Sequence, residues 1–473
     1  MNKHLWRKII LVIIFILNIF LIRKDVFLDA YVELNGSDFV DIDVFSKYND
    51  EGSKIFFDGK EIKENLYELN IDSNVNNKIV GTYKVIYKYN FRGKEYVKER
   101  TINVVDKESP TIKVANDVVY KYNNDYSKIY FTSKDNYDGD LTKKVSVNYL
   151  DNEVILSVSD SSNNEVRVSL PIEEVEVEPL ILKLNGSPIY YIETNGTYNE
   201  KGVSVFDGDR ELKNYDVSVD NQVDLTKEGT YEIKYTVDNH GVKTNIFRII
   251  NVYKKLDVPV REKSTSGEKI VYLTFDDGPC AYTEDFLKIL DEYNVKATFF
   301  VTDQFNGKYL DIIKKEYDKG HRIAVHTNTH KYSIYASPED YVNDFNTMNE
   351  KIENLIGEKT NLFRFPGGSS NTISRSYING IMKYLANLME AKGYVYFDWN
   401  VDSTDGAGSG TEKIINNVLN GVRKNNESVV LMHDIHKTTL NALPTILSTL
   451  KSEGYEFRVL DENSITAHHG INN

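Results

Sequence analysis

Two periodicities of apolar residues divide the chain. From about residue 28 to residue 255 apolar and polar positions alternate, as at Tyr83, Val85 and Tyr87 and again at Tyr231, Ile233 and Tyr235, and helical spacing is nearly absent. Such alternation predicts strands with one buried face. From Lys269 to about Leu460 short apolar runs instead alternate with helical patterns. Phe286, Ile289, Leu290 and Tyr293 follow Thr283, read as an N-cap with Glu284 and Asp285 in the first turn. Tyr341, Phe345, Ile352, Leu355 and Ile356 mark a second helix, and Ile381, Tyr384, Leu385, Leu388 and Met389 a third. This order predicts a parallel sheet or barrel whose strand ends converge on one mouth.

The strand-rich part repeats. Gly81-Thr82-Tyr83 recurs as Gly229-Thr230-Tyr231, Gly93 as Gly241 and Arg100 as Arg248, all at a step of 148 residues. Half that step is about one small β-sandwich, so a diverged middle copy is expected around Asp138-Gly139-Asp140-Leu141, which echoes Asp207-Gly208-Asp209. At the start, Lys3, Arg7 and Lys8 precede an apolar stretch over residues 9–22, closed by Arg23, Lys24 and Asp25. It is near the upper limit of a signal-peptide core and short for a span. No small-x-small cleavage site follows, since Ala30 has Leu28 two positions before it. The reading is an uncleaved signal-anchor with a cytoplasmic N-terminus and everything beyond it outside the cell; cleavage would make the protein secreted.

Composition narrows the setting. One cysteine in 473 residues excludes an intrachain disulfide. A formal charge of −14, with basic residues concentrated only in the N-terminal segment, argues against a nucleic-acid partner. With 41% apolar residues the chain can build several cores, and its length suggests three or four domains.

The chemistry sits at the ends of the later apolar runs. Asp276 and Asp277 close one such run and are followed at once by Gly278 and Pro279. His326 and His330 follow the run that ends at Val325, Arg364 follows Phe363, Asp402 lies shortly after Phe397, and His433 follows Met432. An Asp-Asp-Gly-Pro run alone is often a solvated turn, and a His-x-x-x-His pair alone is common on helices and loops. Five such sites at successive strand ends point instead to one mouth. Two imidazoles and a carboxylate leave tetrahedral zinc an open position for water, the arrangement of a hydrolytic site. Cys280 lacks a base of its own and is not read as a nucleophile. His321 reads as structural, His436 as a supporting or surface residue, and His468 and His469 lie in a polar tail expected to be unstructured.

Five motifs now stand in order: Thr274-Phe275-Asp276-Asp277-Gly278-Pro279, His326-Thr327-Asn328-Thr329-His330, Arg364-Phe365-Pro366-Gly367, Asp402-Ser403-Thr404-Asp405 and Leu431-Met432-His433. The segment carrying them resembles the polysaccharide deacetylase (NodB-homology, carbohydrate esterase 4) family, and most resembles its peptidoglycan N-acetylglucosamine deacetylases. The resemblance implies a distorted (β/α) barrel that removes acetyl groups from N-acetylated sugars. It implies Asp277, His326 and His330 as ligands of zinc or another divalent metal, and Asp276 as general base. It further implies His433 as the acid, Arg364 holding Asp276, Asp402 pairing with His433, the Gly367 amide on the oxyanion, and Leu431 lining the acetyl slot. Gly367 stands where the family usually has an aromatic residue, and Gly406 where it usually has tryptophan. The first change is shared by a subgroup with an Arg-Phe-Pro-Gly-Gly-Ser-Ser-Asn run; both alter the expected groove wall.

The strand-rich units resemble bacterial surface immunoglobulin-like domains, with Gly-Thr-Tyr before a strand and a hairpin glycine after it. The resulting layout is a signal-anchor over residues 1–27, sandwiches over 28–106, 107–179 and 180–255, a linker over 256–267, the deacetylase over 268–463 and a tail over 464–473. The sandwiches read as a spacer, with wall binding through exposed tyrosines as the rival. The implied partners are a cell-wall glycan and the membrane, with no obligate protein partner. Another N- or O-acetylated polysaccharide (poly-N-acetylglucosamine, a chitin-like chain or xylan) is the alternative substrate. An inactive wall-binding adhesin is the alternative of another class.

Overall fold

The computed structural model describes residues 29–260 and 269–473; the expected signal-anchor lies outside the described residues, as does most of the expected linker. Among the described residues no helix is long and apolar enough to cross a membrane. These residues form two compact units, one ending at Ser109 and including Ser159–Asn164, the other holding Pro110–Val158 and Glu165–Asn473.

In the first unit, strands Phe39–Asp43, Lys94–Val105, Gly81–Phe91 and Glu68–Ser73 pair in that order, and Tyr31–Leu34, Ser53–Phe57 and Lys60–Glu61 form a second sheet. The alternation read from the sequence puts Val85, Tyr87 and Tyr89 inside. The second unit contains the same arrangement. Ile189–Glu193, Val242–Tyr253, Gly229–Asn239 and Ser218–Asn221 form one sheet, and Ile181–Leu184, Val203–Asp207 and Arg210–Leu212 the other. The repeated glycines occupy equivalent register positions, Gly81 opposite Val104 and Gly229 opposite Val252. Between these segments lies a further two-sheet segment, in which Val119–Tyr122 runs parallel to Glu165–Glu174.

The repeated arginine is an internal peg. Arg100 is buried, pairs with Asp50 and donates to the carbonyls of Ser37, Asn35 and Gly52. Arg248 is likewise buried, pairs with Glu200 and donates to the carbonyls of Asn185 and Gly202. A guanidinium carries enough donors to bind a carboxylate and several loop carbonyls together, which lysine cannot match.

The remainder is an α/β layer: β1 (Ile270–Asp276), α1 (Thr283–Glu292), β2 (Thr298–Val301), α2 (Asp311–Asp318), β3 (Arg322–Val325), α3 (Pro338–Ile356), β4 (Leu362–Phe363), α4 (Ile381–Ala391), β5 (Val395–Tyr396), β6 (Val401–Asp402), α5 (Thr411–Val422), β7 (Glu427–His433), α6 (Lys437–Ser452) and β8 (Glu456–Phe457). The sheet order is β5-β4-β3-β2-β1-β7-β6, with β8 also on β1. The expected barrel is therefore a curled, open sheet. Its edges, β5 and β6, are separated in sequence by only the four residues 397–400, which reach about 17 Å at most, so the sheet has to curl. β4, β5 and β6 have two residues each, too few to complete a closed ladder. Along β1, Val271, Leu273 and Phe275 pack outward with the helices, whereas Ile270 and Tyr272 point into the curl with Phe300 and Leu362. Thr274 and Asp276 share that inward parity.

Two expectations change here. Thr283 is the first helical residue and not the cap; its hydroxyl accepts from the Cys280 amide and donates to Asp434. The polar tail is a strap. The His468 ring stacks on Tyr396 at 3.7 Å, and the His469 amide donates to Asp398 Oδ2 at 2.9 Å. Asn473 donates to Ser374 Oγ and the Ile378 carbonyl and accepts from the Gly380 amide. The tail reads as unstructured because its few apolar residues show no periodicity, but Ile465, Ala467 and Ile471 pack against the core, and polar groups distant in sequence supply its hydrogen-bond partners.

The 368–380 segment is also held from its other side. Tyr191 N–H donates to the Asn379 carbonyl at 2.8 Å, Asn379 N–H donates to the Ile189 carbonyl at 3.2 Å, and Tyr191 and Tyr253 both pack on Tyr384. A Cβ at Gly380, whose φ is +83°, would lie 2.0 Å from the Tyr191 carbonyl oxygen.

Replacing Arg248 by Ala leaves Glu200 and several loop carbonyls without their donor. We expect this to cost about 3 kcal/mol, discounted toward the lower end of the buried-pair range because Glu200 is partly exposed. In calorimetry the sandwich transition should fall by several degrees while that of the α/β layer moves less; equal stability of the Arg248→Ala and wild-type sandwiches would count against the peg.

Candidate active site

Inward parity at successive strand ends brings the polar residues together. Asp276 ends β1, His326 follows β3, Arg364 follows β4 and His433 ends β7. Arg364 is fully buried. Its Nη1 donates to Asp276 Oδ1 at 2.7 Å and to Thr274 Oγ1 at 2.8 Å, its Nε to the Phe397 carbonyl at 3.0 Å and its Nη2 to the Asp398 carbonyl at 2.9 Å. The Phe300 ring lies 4.1 Å beneath the guanidinium. Burial drives the Asp276 carboxyl upward and Arg364 opposes it, leaving a pKa of about 6.

Beside it, one ligand atom each from Asp277, His326 and His330 lies within 4.8 Å of the other two. His330 Nε2 is 3.1 Å and His326 Nε2 3.5 Å from Asp277 Oδ1, a buried atom with no hydrogen-bond donor among the described residues. His326 Nδ1 donates to the Arg364 carbonyl at 2.8 Å, which fixes the tautomer and leaves the Nε2 lone pair facing the carboxylate. Burial, and then His330, hold the His326 pKa well below its usual value, so the ring is neutral. An orphaned carboxylate oxygen facing two imidazole nitrogens fits a divalent transition metal.

Backbone geometry and α3 set this loop. Asp277 (φ +73°), Thr327 (φ +66°) and His330 (φ +53°) occupy left-handed conformations. Asp344 on α3 accepts from the amides of Asn328 at 2.7 Å and Thr329 at 3.0 Å and from Thr329 Oγ1 at 2.9 Å. Gln304 Nε2 donates to the Asp277 carbonyl at 2.7 Å.

On the opposite side, the residue expected to pair with His433 is corrected. Asp402 is exposed and accepts from the Thr404 amide. The partner is Asp405, whose Oδ1 accepts from His433 Nδ1 at 2.8 Å and from the Gly406 amide at 2.7 Å. Its Oδ2 accepts from the His433 amide and Thr439 Oγ1, each at 2.7 Å. Burial would raise the Asp405 pKa, but these hydrogen bonds outweigh it and hold it at about 2. Burial would lower that of His433, but Asp405 outweighs it, with Asp276 and Asp277 adding, and the result is about 9. The chain turns sharply after β6, so the carboxylate three residues beyond the strand end reaches the ring. Gly406 leaves room for it: a Cβ there would lie 2.9 Å from His433 Cε1.

Gly367 is exposed with φ +77°, and Leu431 is buried on β7. Cys280 is buried, its thiol pushed up by burial and its sulfur directed to the Asp434 carbonyl, away from nucleophilic use. His321 accepts from the Ala297 amide in the core, as a structural residue does.

Residues 263–381 match the polysaccharide deacetylase family. A peptidoglycan-N-acetylglucosamine deacetylase from Bacillus cereus is 36% identical over 202 residues, covering 41% of this chain and 71% of the relative. This chain belongs to the polysaccharide deacetylase family. Residues 32–104 and 182–252 match bacterial surface Ig-like domains, which accounts for the 148-residue repeat. A bifunctional xylanase/deacetylase from Pseudobutyrivibrio xylanivorans is 29% identical, covering 42% of this chain and 31% of the relative. The crystal structure of the catalytic domain of a peptidoglycan N-acetylglucosamine deacetylase from Eubacterium rectale is 44% identical, covering 45% of this chain and 98% of that chain, with a TM-score of 0.44.

Asp344 and Thr439 were not foreseen as part of this deacetylase site. Each lies on a helix, where a lone polar residue reads as solvated surface. Asp344→Ala should loosen the 326–330 loop and weaken the binding of a divalent metal by about tenfold to a hundredfold. Competition against a fluorescent chelator measures this; unchanged affinity would place Asp344 outside the support of the site.

Proposed function

We propose that this protein is a zinc-dependent hydrolase that removes N-acetyl groups from N-acetylglucosamine residues of cell-wall peptidoglycan. One arrangement carries the reading: the Asp277, His326 and His330 cluster lies beside an Asp276 held by Arg364, with His433 held by Asp405. The Bacillus cereus relative supports the choice of substrate.

Asp277, His326 and His330 would hold the metal. Zinc bound there supplies Lewis acidity toward the amide carbonyl and lowers the pKa of water. Asp276 takes the proton of the attacking water, and Arg364 occupies Oδ1 so that the other oxygen remains for this task. The Gly367 amide donates to the developing oxyanion, and Leu431 bounds the acetyl methyl. His433, kept protonated at neutral pH by Asp405, gives its proton to the departing sugar nitrogen. The work takes place outside the cell, on a chain tethered through the apolar N-terminal stretch, with the Ig-like domains as spacer. Removing acetyl groups would leave free amines on the glycan. The xylanase/deacetylase relative makes an acetylated xylan the second substrate to test.

Purified peptidoglycan treated with the zinc-loaded protein should release acetate, chelator should stop it, and mass analysis should place the lost acetyl on glucosamine. A protein that binds wall, holds no zinc and releases no acetate would be an adhesin instead. Asp276→Asn should retain zinc and lose at least about a hundredfold in turnover, whereas His326→Ala should lose both.

His433 must be protonated to act, so kcat/KM should fall as pH rises through about 9. Removing the Asp405 charge destabilises the imidazolium, so Asp405→Asn should move this alkaline limb to lower pH as well as slow the reaction. A limb that stays in place in Asp405→Asn would separate it from His433.

A further inference from the structure

Gly367 removes the side chain that the family usually places at the mouth, yet the space beside it is not empty. A Cβ on Gly367 would lie 3.3 Å from the Tyr332 hydroxyl and 3.4 Å from Tyr332 Cε1. Tyr332 opens a short 3₁₀ turn, Tyr332–Ala336, two residues after His330, and the two rings are 6.2 Å apart. It is half-buried, and among the described residues its hydroxyl has no hydrogen-bond partner. Behind it the rings continue inward: Tyr332 to Tyr335 at 6.4 Å, Tyr335 to Tyr341 at 5.8 Å and Tyr341 to Phe365 at 5.2 Å. Tyr335 donates its hydroxyl to the Pro366 carbonyl at 2.9 Å, tying this ladder to the residue before Gly367.

A phenol in that position has an apolar face, a free donor and a fixed orientation, which are the properties a sugar ring requires of a wall. We propose that Tyr332 contacts the substrate: its ring packs against the CH face of an N-acetylhexosamine and its hydroxyl hydrogen-bonds a sugar oxygen. The aromatic wall absent at Gly367 is thus supplied from the turn that follows the metal-ligand motif. This assignment rests on the deacetylase reading given above.

The test uses the full chain and the soluble chitin oligomer tetra-N-acetylchitotetraose. Affinity is measured by calorimetry on chelated, metal-free protein, and KM and kcat on zinc-loaded protein. Tyr332→Ala should weaken Kd and raise KM by tenfold or more with zinc uptake unchanged, and Tyr332→Phe, which keeps the ring, should lose less, about threefold to tenfold. Sugar affinity in Tyr332→Ala equal to wild type overturns the proposal. Loss of zinc together with sugar also overturns it, since Tyr332 would then act by supporting His330. A wild-type protein that neither binds nor deacetylates the oligomer or peptidoglycan overturns the deacetylase reading, and the Tyr332 assignment with it.

Discussion

A guanidinium removed from water has to be surrounded by acceptors, and that requirement organises the deacetylase region. Arg364 meets it with a carboxylate on β1, a hydroxyl on β1, two carbonyls from the segment between the sheet edges, and the face of Phe300 on β2. Its own carbonyl orients His326. One buried cation therefore fixes the candidate base, the tautomer of a candidate metal ligand and the path of the chain that closes the curl. Leaving such a charge without partners costs several kcal/mol, so these positions are not free to vary independently.

The same requirement appears twice in the Ig-like parts. Arg100 and Arg248 each bind a carboxylate and loop carbonyls from within a small sandwich. With one cysteine in the whole chain, these domains cannot use a disulfide to join their two sheets. A buried, hydrogen-bonded arginine makes that connection with groups that need no oxidant.

Legibility followed how directly local pattern determines position. Asp276, His326, Arg364 and His433 could be read because strand parity turns each inward at a strand end, and both Ig-like matches followed from a repeat visible in Gly81, Arg100 and their counterparts. The partner of His433 was read as Asp402 and not Asp405 because both are aspartates within one short run, and only the turn after β6 decides which reaches the imidazole. The alternation of strands and helices left a parallel sheet and a barrel both open, because it does not reveal that β4, β5 and β6 have only two residues each. Asp344 and the strap from His468 to Asn473 escaped because their roles depend on partners well separated in sequence.

The bracing of the 368–380 segment bears on how the protein can be divided. Its supports come from Ile189 and Tyr191 on one side and from His469 and Asn473 on the other. A fragment trimmed to residues 268–463, the span that the motifs alone suggest, would remove both. The smallest piece that retains the native surroundings of Gly367 runs from the second matched Ig-like domain through the last residue described, so domain borders drawn from motifs and borders drawn from mechanical support do not coincide in this chain.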